Sequence, residues 1–174
     1  STKDESSFSE NGMPWITPND LSKNKGNKFI AHGETDLSAQ GVKSASLKVY
    51  PKNTVLMSSR APIGYMAIAR NGLTTNQGIK SFIPNKYFSP DFIYYTVKHS
   101  MKSIIQYSSG STFKEISGST LKTVKVCIPK IDVSDSYSIK VRDIFERQNL
   151  LEIENQKLAK LRDWLLPMLM NGQV

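Results

Sequence analysis

Cysteine and histidine are nearly missing from this sequence, with one Cys and two His among 174 residues. A tetrahedral metal centre needs several such ligands, so neither zinc nor any other cofactor is expected. A single thiol cannot close an intrachain disulfide. Cys127 lies between Val126 and Ile128 in an apolar run and reads as a buried core thiol in a reducing, cytoplasmic setting. Long hydrophobic runs are also lacking: none approaches the roughly 18 residues of a membrane span, and no signal-peptide pattern is seen. Glycines never gather into a dinucleotide fingerprint or a phosphate-cradling P-loop. His32 and His99 lie far apart, His99 at the end of a helical pattern, and no Asp or Glu stands two residues before a Lys, as a DNA-cutting metal site would want. Catalysis is not expected.

What is present is positive charge on a foldable chain. Hydrophobic residues make up 39% and aromatics 9%, enough for a packed core, and the net charge is +8. Residues 1–135 carry 17 basic and 10 acidic side chains, whereas 136–174 carry 6 and 5. The field therefore belongs to the globular part. A polyanion is its natural partner, with nucleic acid ahead of a membrane because no basic amphipathic stripe appears.

The C-terminal stretch Ser136 to Asn171 reads as one long helix. Ile144, Leu151, Leu158 and Leu165 recur at heptad spacing, and Val141, Gln148, Asn155 and Arg162 hold the second seam position. A 3.5-residue repeat keeps one stripe toward a partner helix, and polar residues in the seam fix register. Charges of both signs, Glu152 among them, are expected on the remaining face. A helix packed on its own domain is the alternative, although about 35 residues exceed 50 Å, longer than such a domain.

Before that helix, residues 1–12 read as a loop. A short strand Met13 to Thr17 leads to a helical turn capped by Asn19 or Asp20, and Lys23, Lys25 and Lys28 surround Gly26 in a basic loop. Thr35 to Ser46 is small and polar, with a turn at Gly41. Residues 47–57 read as two strands about a turn at Pro51, Ile63 to Ala69 as another strand, Asn71-Gly72 as a hairpin turn, and Leu73 to Pro84 as an interrupted strand. Together 14–84 predict a curled antiparallel sheet. Ser89 caps a helix with Pro90 at its first position, running to about Gln106. Leu121 to Ile128 alternates as a strand, and Asp132 to Asp135 forms a hinge.

Three polar stretches sit between apolar ones. In Ser58 to Gly64, Arg60 offers a fork that fits phosphate or a guanine edge, or else marks a bent strand edge. In Thr74 to Gly78, Asn76 and Gln77 can pair with adenine, or the stretch is an internal polar network. In Ser108 to Lys114, hydroxyls suit a phosphate, or form a solvated linker.

In order, "MPWITPNDLS", "NTVLMSSRAPIG", "TTNQGIKSFIP", "SSGSTFKEISGSTLKTVKVCIP" and "LRDWLLPMLMNG" closely resemble the specificity subunit of type I restriction-modification systems, as one target-recognition domain (1–133) plus one helical spacer (134–174). Such subunits usually carry two recognition domains, and a Gly-Gly-Thr-Pro run commonly precedes the Ser-Thr seen here as Ser1-Thr2, which points to a fragment or a half-length subunit. The resemblance implies no catalysis. It implies that the domain reads half of a split duplex target, that helices pair antiparallel with a second domain or a second copy, and that methylation and restriction subunits are partners.

The expected fold is α+β, a twisted, mostly antiparallel sheet domain with a short amphipathic helix and a long C-terminal coiled-coil helix. Arg60, Thr75, Asn76, Gln77, Ser111, Thr112 and Lys114 are expected to face DNA. Lys23, Lys25 and Lys28 would touch phosphates, and Ile144, Leu151, Leu158 and Leu165 form the helix interface. The rival reading is a coiled-coil assembly module with a non-specific basic domain, followed by a metal-dependent nuclease.

Overall fold

The computed structural model describes residues 7–60, 62–108 and 114–172. Its strands form two small sheets. In the first, β1 (Phe8–Ile16) lies between β3 (Thr35–Leu37), antiparallel, and β6 (Thr74–Thr75), parallel. In the second, β2 (Phe29–Ile30), β5 (Met66–Ala69), β4 (Val55–Ser58) and β7 (Ile79–Phe82) are neighbours in that order, with only β2 and β5 parallel. The fold is α+β and three of its five strand pairings are antiparallel, as expected.

The single curled sheet is corrected to two. The turn Asn76-Gln77-Gly78 sends Thr74–Thr75 to one sheet and Ile79–Phe82 to the other, so it joins layers rather than interrupting a strand. Asn71-Gly72 likewise links β5 to β6 in different sheets and makes no hairpin. Residues 8–12 belong to β1, which carries an irregularity between Phe8 and Met13. Tyr50 meets Leu73 only in an isolated bridge, so 47–57 supplies one strand, β4, and not two.

Six helices complete the described residues. α1 (Pro18–Lys23) is capped by Thr17, whose side chain accepts from the Asp20 N–H, while the Asp20 carboxylate accepts the Thr17 N–H at 2.8 Å. This reciprocal capping box displaces Asn19 and Asp20 from the expected capping role. α2 (Ala39–Ser44) begins after Ser38 and contains Gly41, where a Cβ would stand 2.3 Å from the Ser7 carbonyl oxygen. Close backbone approach, not a turn, requires that glycine. α3 (Pro90–His99) has Ser89 as cap and Pro at its start, as the sequence predicts, and α4 (Met101–Gln106) continues it past Ser100. α5 (Gly118–Leu121) is a single turn.

The expected strand Leu121 to Ile128 does not form. Leu121 ends α5, and residues 124–130 have no regular structure. Cys127 is exposed instead of buried.

One apolar cluster gathers Ile16, Leu21, Ile30, Leu56, Leu73 and Ile79 between the sheets. A second, around Phe29, Val55, Ile68 and Tyr94, joins the four-stranded sheet to α3, and a third joins Met57, Val97, Ile104 and Ile116.

α6 (Ile131–Met170) is longer than the sequence predicts and starts earlier, taking in the supposed hinge. Its first half lies on the body through Ser134, Ser138, Val141, Phe145, Gln148 and Glu152, spaced four, three, four, three and four. The packed-helix alternative thus holds for this half. Gln148 faces the chain's own domain rather than a partner helix, Val141 is half-buried on the same row, and Glu152 is buried rather than solvated. Beyond Gln156 the described side chains form no hydrogen bond or ion pair with the body. Ile144, Leu151 and Leu158 are exposed, and Leu165 is partly so. No described helix is long and apolar enough to cross a membrane.

Candidate nucleic-acid interface

Ser58 builds the loop that carries Arg60. Its N–H donates to the Tyr65 carbonyl at 2.8 Å and its hydroxyl to the Pro62 carbonyl at 2.8 Å, while the Tyr65 N–H donates back to its Oγ at 2.9 Å. Gly64, at φ 105°, takes the left-handed turn that closes this loop and sits against the Met101 sulfur. Ser58 and Ser59 are fully buried; the Ser58 hydroxyl is used up in closing the loop, and Ser59 holds its neighbours through its backbone.

Three segments converge beside it. The Ser59 N–H donates to the Gly78 carbonyl at 2.8 Å, and the Ile116 N–H to the Ser59 carbonyl at 3.0 Å. Arg60 bridges Glu115, bringing the 114–116 stretch alongside. The Asn76 N–H reaches the Ile16 carbonyl, which ties the turn to the end of β1.

Gly78 is where these pieces meet most closely. A Cβ there would stand 2.8 Å from Pro18 Cγ, 3.1 Å from Arg60 Nε and 3.2 Å from Asn76 Oδ1. The guanidinium of Arg60 therefore lies against the turn that presents Asn76 and Gln77. Asn76 Oδ1 accepts the Gly78 N–H at 2.9 Å, an Asx-type closure of the turn. Gln77 and Lys114 are exposed, and Arg60 is half-buried. Neither Arg60 nor Lys114 forms an ion pair among the described residues. One edge thus offers a forked cation, a point cation and two amides, donors and acceptors suited to phosphates and base edges.

The other expected contacts fare differently. Thr75 is buried in β6, beneath the turn rather than on it. Ser111 and Thr112 lie outside the described residues. Lys23 is held by Glu34 in an exposed pair, and Lys25 is exposed with no ion-pair partner among the described residues.

Lys28 is a correction, because it is buried and points the other way. Its Nζ donates to Gln148 Oε1 at 2.5 Å and to the Tyr95 hydroxyl at 3.2 Å, and lies 4.0 Å from the centre of the Phe145 ring. Burial took it from the surface set: its alkyl stem and ammonium fill the seam between α6 and β2.

Sequence reading missed the set that fixes α6 in place. Arg70 donates from Nε to Asn149 Oδ1 at 2.7 Å, from Nη1 to Gln156 Oε1 at 3.2 Å and from Nη2 to Glu152 Oε2 at 3.2 Å. Glu152 also accepts the backbone N–H groups of Lys28 at 2.8 Å and Phe29 at 3.0 Å. Desolvation lowers the Arg70 pKa from its usual value, with the Glu152 charge opposing that shift. The available signal was the polar intrusion of Gln148 and Glu152 into an otherwise packing stripe.

Comparison with known proteins agrees with this architecture. The family model described as "Type I restriction modification DNA specificity domain" matches residues 1–162. The specificity subunit of the type I restriction enzyme MjaIX from Methanocaldococcus jannaschii is 40% identical over 164 residues, covering 88% of this chain and 37% of that protein. The corresponding HindI subunit from Haemophilus influenzae is 30% identical over 151 residues, covering 84% and 32%. The crystal structure of an HsdS subunit from Thermoanaerobacter tengcongensis shares the fold at a TM-score of 0.54 and 19% identity, over 98% of this chain and 41% of that one.

The class defined by fold and sequence is that of specificity modules, a small α+β body with a long helix leaving it. This chain belongs to the type I restriction-modification DNA specificity domain family. It spans about a third of the length of the curated relatives it matches.

Proposed function

We propose that the chain reads a short sequence in duplex DNA as one recognition unit of a type I specificity subunit, without catalysis of its own. The observation that carries this reading is the convergence of Arg60, Asn76 and the Gly78 turn on one basic edge, with Gln77 and Lys114 exposed there. Arg60, Asn76 and Gln77 read bases, while Lys25 and Lys114 hold phosphates and set register without sequence information. Thr75 supports the turn from below. Residues 1–133 form the recognition unit and 134–174 the spacer, anchored on that unit along its first half. The exposed row Ile144, Leu151, Leu158 and Leu165 takes the helix of a second recognition unit or a second copy. Methylation and restriction subunits supply the chemistry that the reader directs.

Selection from a random duplex pool at several salt concentrations tests the reading. Enrichment of a short fixed motif that survives added salt supports it. Binding that enriches nothing and fades with salt defeats it and leaves the rival, an assembly module with a non-specific basic body.

A further inference from the structure

Residues 124–130 have the sequence of a strand and the surroundings of one, but no neighbour. Val124, Val126 and Ile128 line one groove, together with Phe88, Ile93 and Val97. Cys127 and Pro129 line a second groove on the other side, together with Tyr95, His99 and Tyr137. Side chains that alternate between two sides are the mark of an extended backbone, and Lys130 at φ −60° and ψ 152° is extended. The two grooves enclose about 300 and about 720 Å³. No hydrogen bond to or from the backbone of residues 125–129 occurs among the described residues. Val126 and Ile128 stay 43% and 59% exposed. An extended segment with free N–H and C=O groups and open apolar sides is a template for pairing.

Charge selects what can pair. Residues 92–130 contain six lysines and one acid, Glu115. Lys98 and Lys122 line the grooves, and Lys125 and Lys130 lie in the segment itself. Lys122, Lys125 and Lys130 have no ion-pair partner among the described residues. Lysines on an edge repel a second copy of the same edge. They favour a strand of opposite sign.

We propose that residues 124–129 are a docking strand for a partner polypeptide, an extended segment of alternating apolar and acidic residues that pairs with this backbone. Main-chain hydrogen bonds to residues 125–128 would supply affinity, and the grooves would take alternate apolar side chains. This surface is separate from the edge that carries Arg60 and stands whether or not that edge reads DNA.

The test uses the whole chain, isotope-labelled, titrated with acetyl-Glu-Val-Glu-Ile-Glu-Val-Glu-amide. The expected result is a saturable shift of the Lys125 to Ile128 amides and at least tenfold slower exchange at Val126 and Ile128. Lys125→Glu should weaken binding at least tenfold with an unchanged melting temperature, since its side chain is exposed. Val126→Pro, which removes one donor, should do the same. Overturning results are no saturable change at millimolar peptide, equal binding of the peptide with Lys in place of Glu, or protection of these amides by a duplex oligonucleotide instead of by the peptide.

Discussion

Arg70 and Glu152, 82 residues apart in the chain, face each other at 3.2 Å with each side chain only 9% exposed. Every oxygen of that carboxylate is occupied, by two backbone N–H groups, a guanidinium and the Gln148 amide. Removing one partner of a buried pair leaves the other charged, desolvated and unmatched. Glu152→Ala should therefore lower stability by about 3–5 kcal/mol in urea unfolding. Arg70→Met with Glu152→Leu should recover part of that loss, because no guanidinium is left stranded, although the Lys28 and Phe29 N–H groups lose their acceptor. Equal destabilisation by the single and double changes would refute the view that the uncompensated charge is what matters.

At the candidate interface, Arg60→Ala or Gln77→Ala should relax preference at one base pair, by about 1–3 kcal/mol in competition binding. Lys114→Ala or Lys25→Ala should instead weaken all sequences alike and reduce the slope of log affinity against log salt by about 1. If all four changes act uniformly across sequences, the division between base readers and phosphate contacts is wrong.

Gly78→Ala tests the closeness of that turn. The added methyl would meet Pro18 Cγ at 2.8 Å, a ring held at the start of α1 and unable to swing aside. Overpacking of this kind costs about 1–3 kcal/mol. It should also displace Arg60, so altered preference ought to accompany the lowered melting temperature.

Leu158 is 56% exposed on the outer row of α6. Leu158→Glu should abolish concentration-dependent self-association in light scattering while leaving the unfolding midpoint within experimental error. A chain that stays monomeric at high concentration before any substitution would remove the helix row as a self-association surface.

Burial raises the Tyr94 phenol above its ordinary 10.0, helped by Tyr95 and Glu152 nearby. Burial likewise raises Tyr137, with Asp91 and Tyr95 adding to it. The folded chain therefore keeps protons that the unfolded chain releases near pH 10. The stability contributed by these groups is complete below that pH and falls as pH rises through the folded values. Tyr94→Phe should flatten the alkaline limb of a stability profile and leave the neutral region's pH dependence unchanged.

Local signals were legible wherever one segment decides its own state. Ser89 followed by Pro90 caps α3 as read, and the apolar repeat gives α6. What escaped depended on distant partners. Two parallel pairings, β1 with β6 and β2 with β5, join strands far apart in sequence, which no alternation pattern encodes. Val124 to Ile128 has a strand's alternation but lacks the neighbour that would make it one. Lys28 looked like its neighbours Lys23 and Lys25, and it is α3 and α6, the latter more than a hundred residues later, that take it out of solvent. At the interface, the pattern found the right turn but not its depth: Asn76 and Gln77 reach the surface while Thr75 lies beneath.

The partly anchored α6 has a mechanical consequence. From Gln156 to Met170 it extends about 21 Å past its last polar tie. A lever of that length converts a 10° swing at its root into about 4 Å at its tip, more than the 3.4 Å rise of one base pair. Under the spacer role proposed above, the clamp of Arg70, Glu152 and Lys28 would set aim as well as stability, since slack at the root would displace the far end by about one base pair.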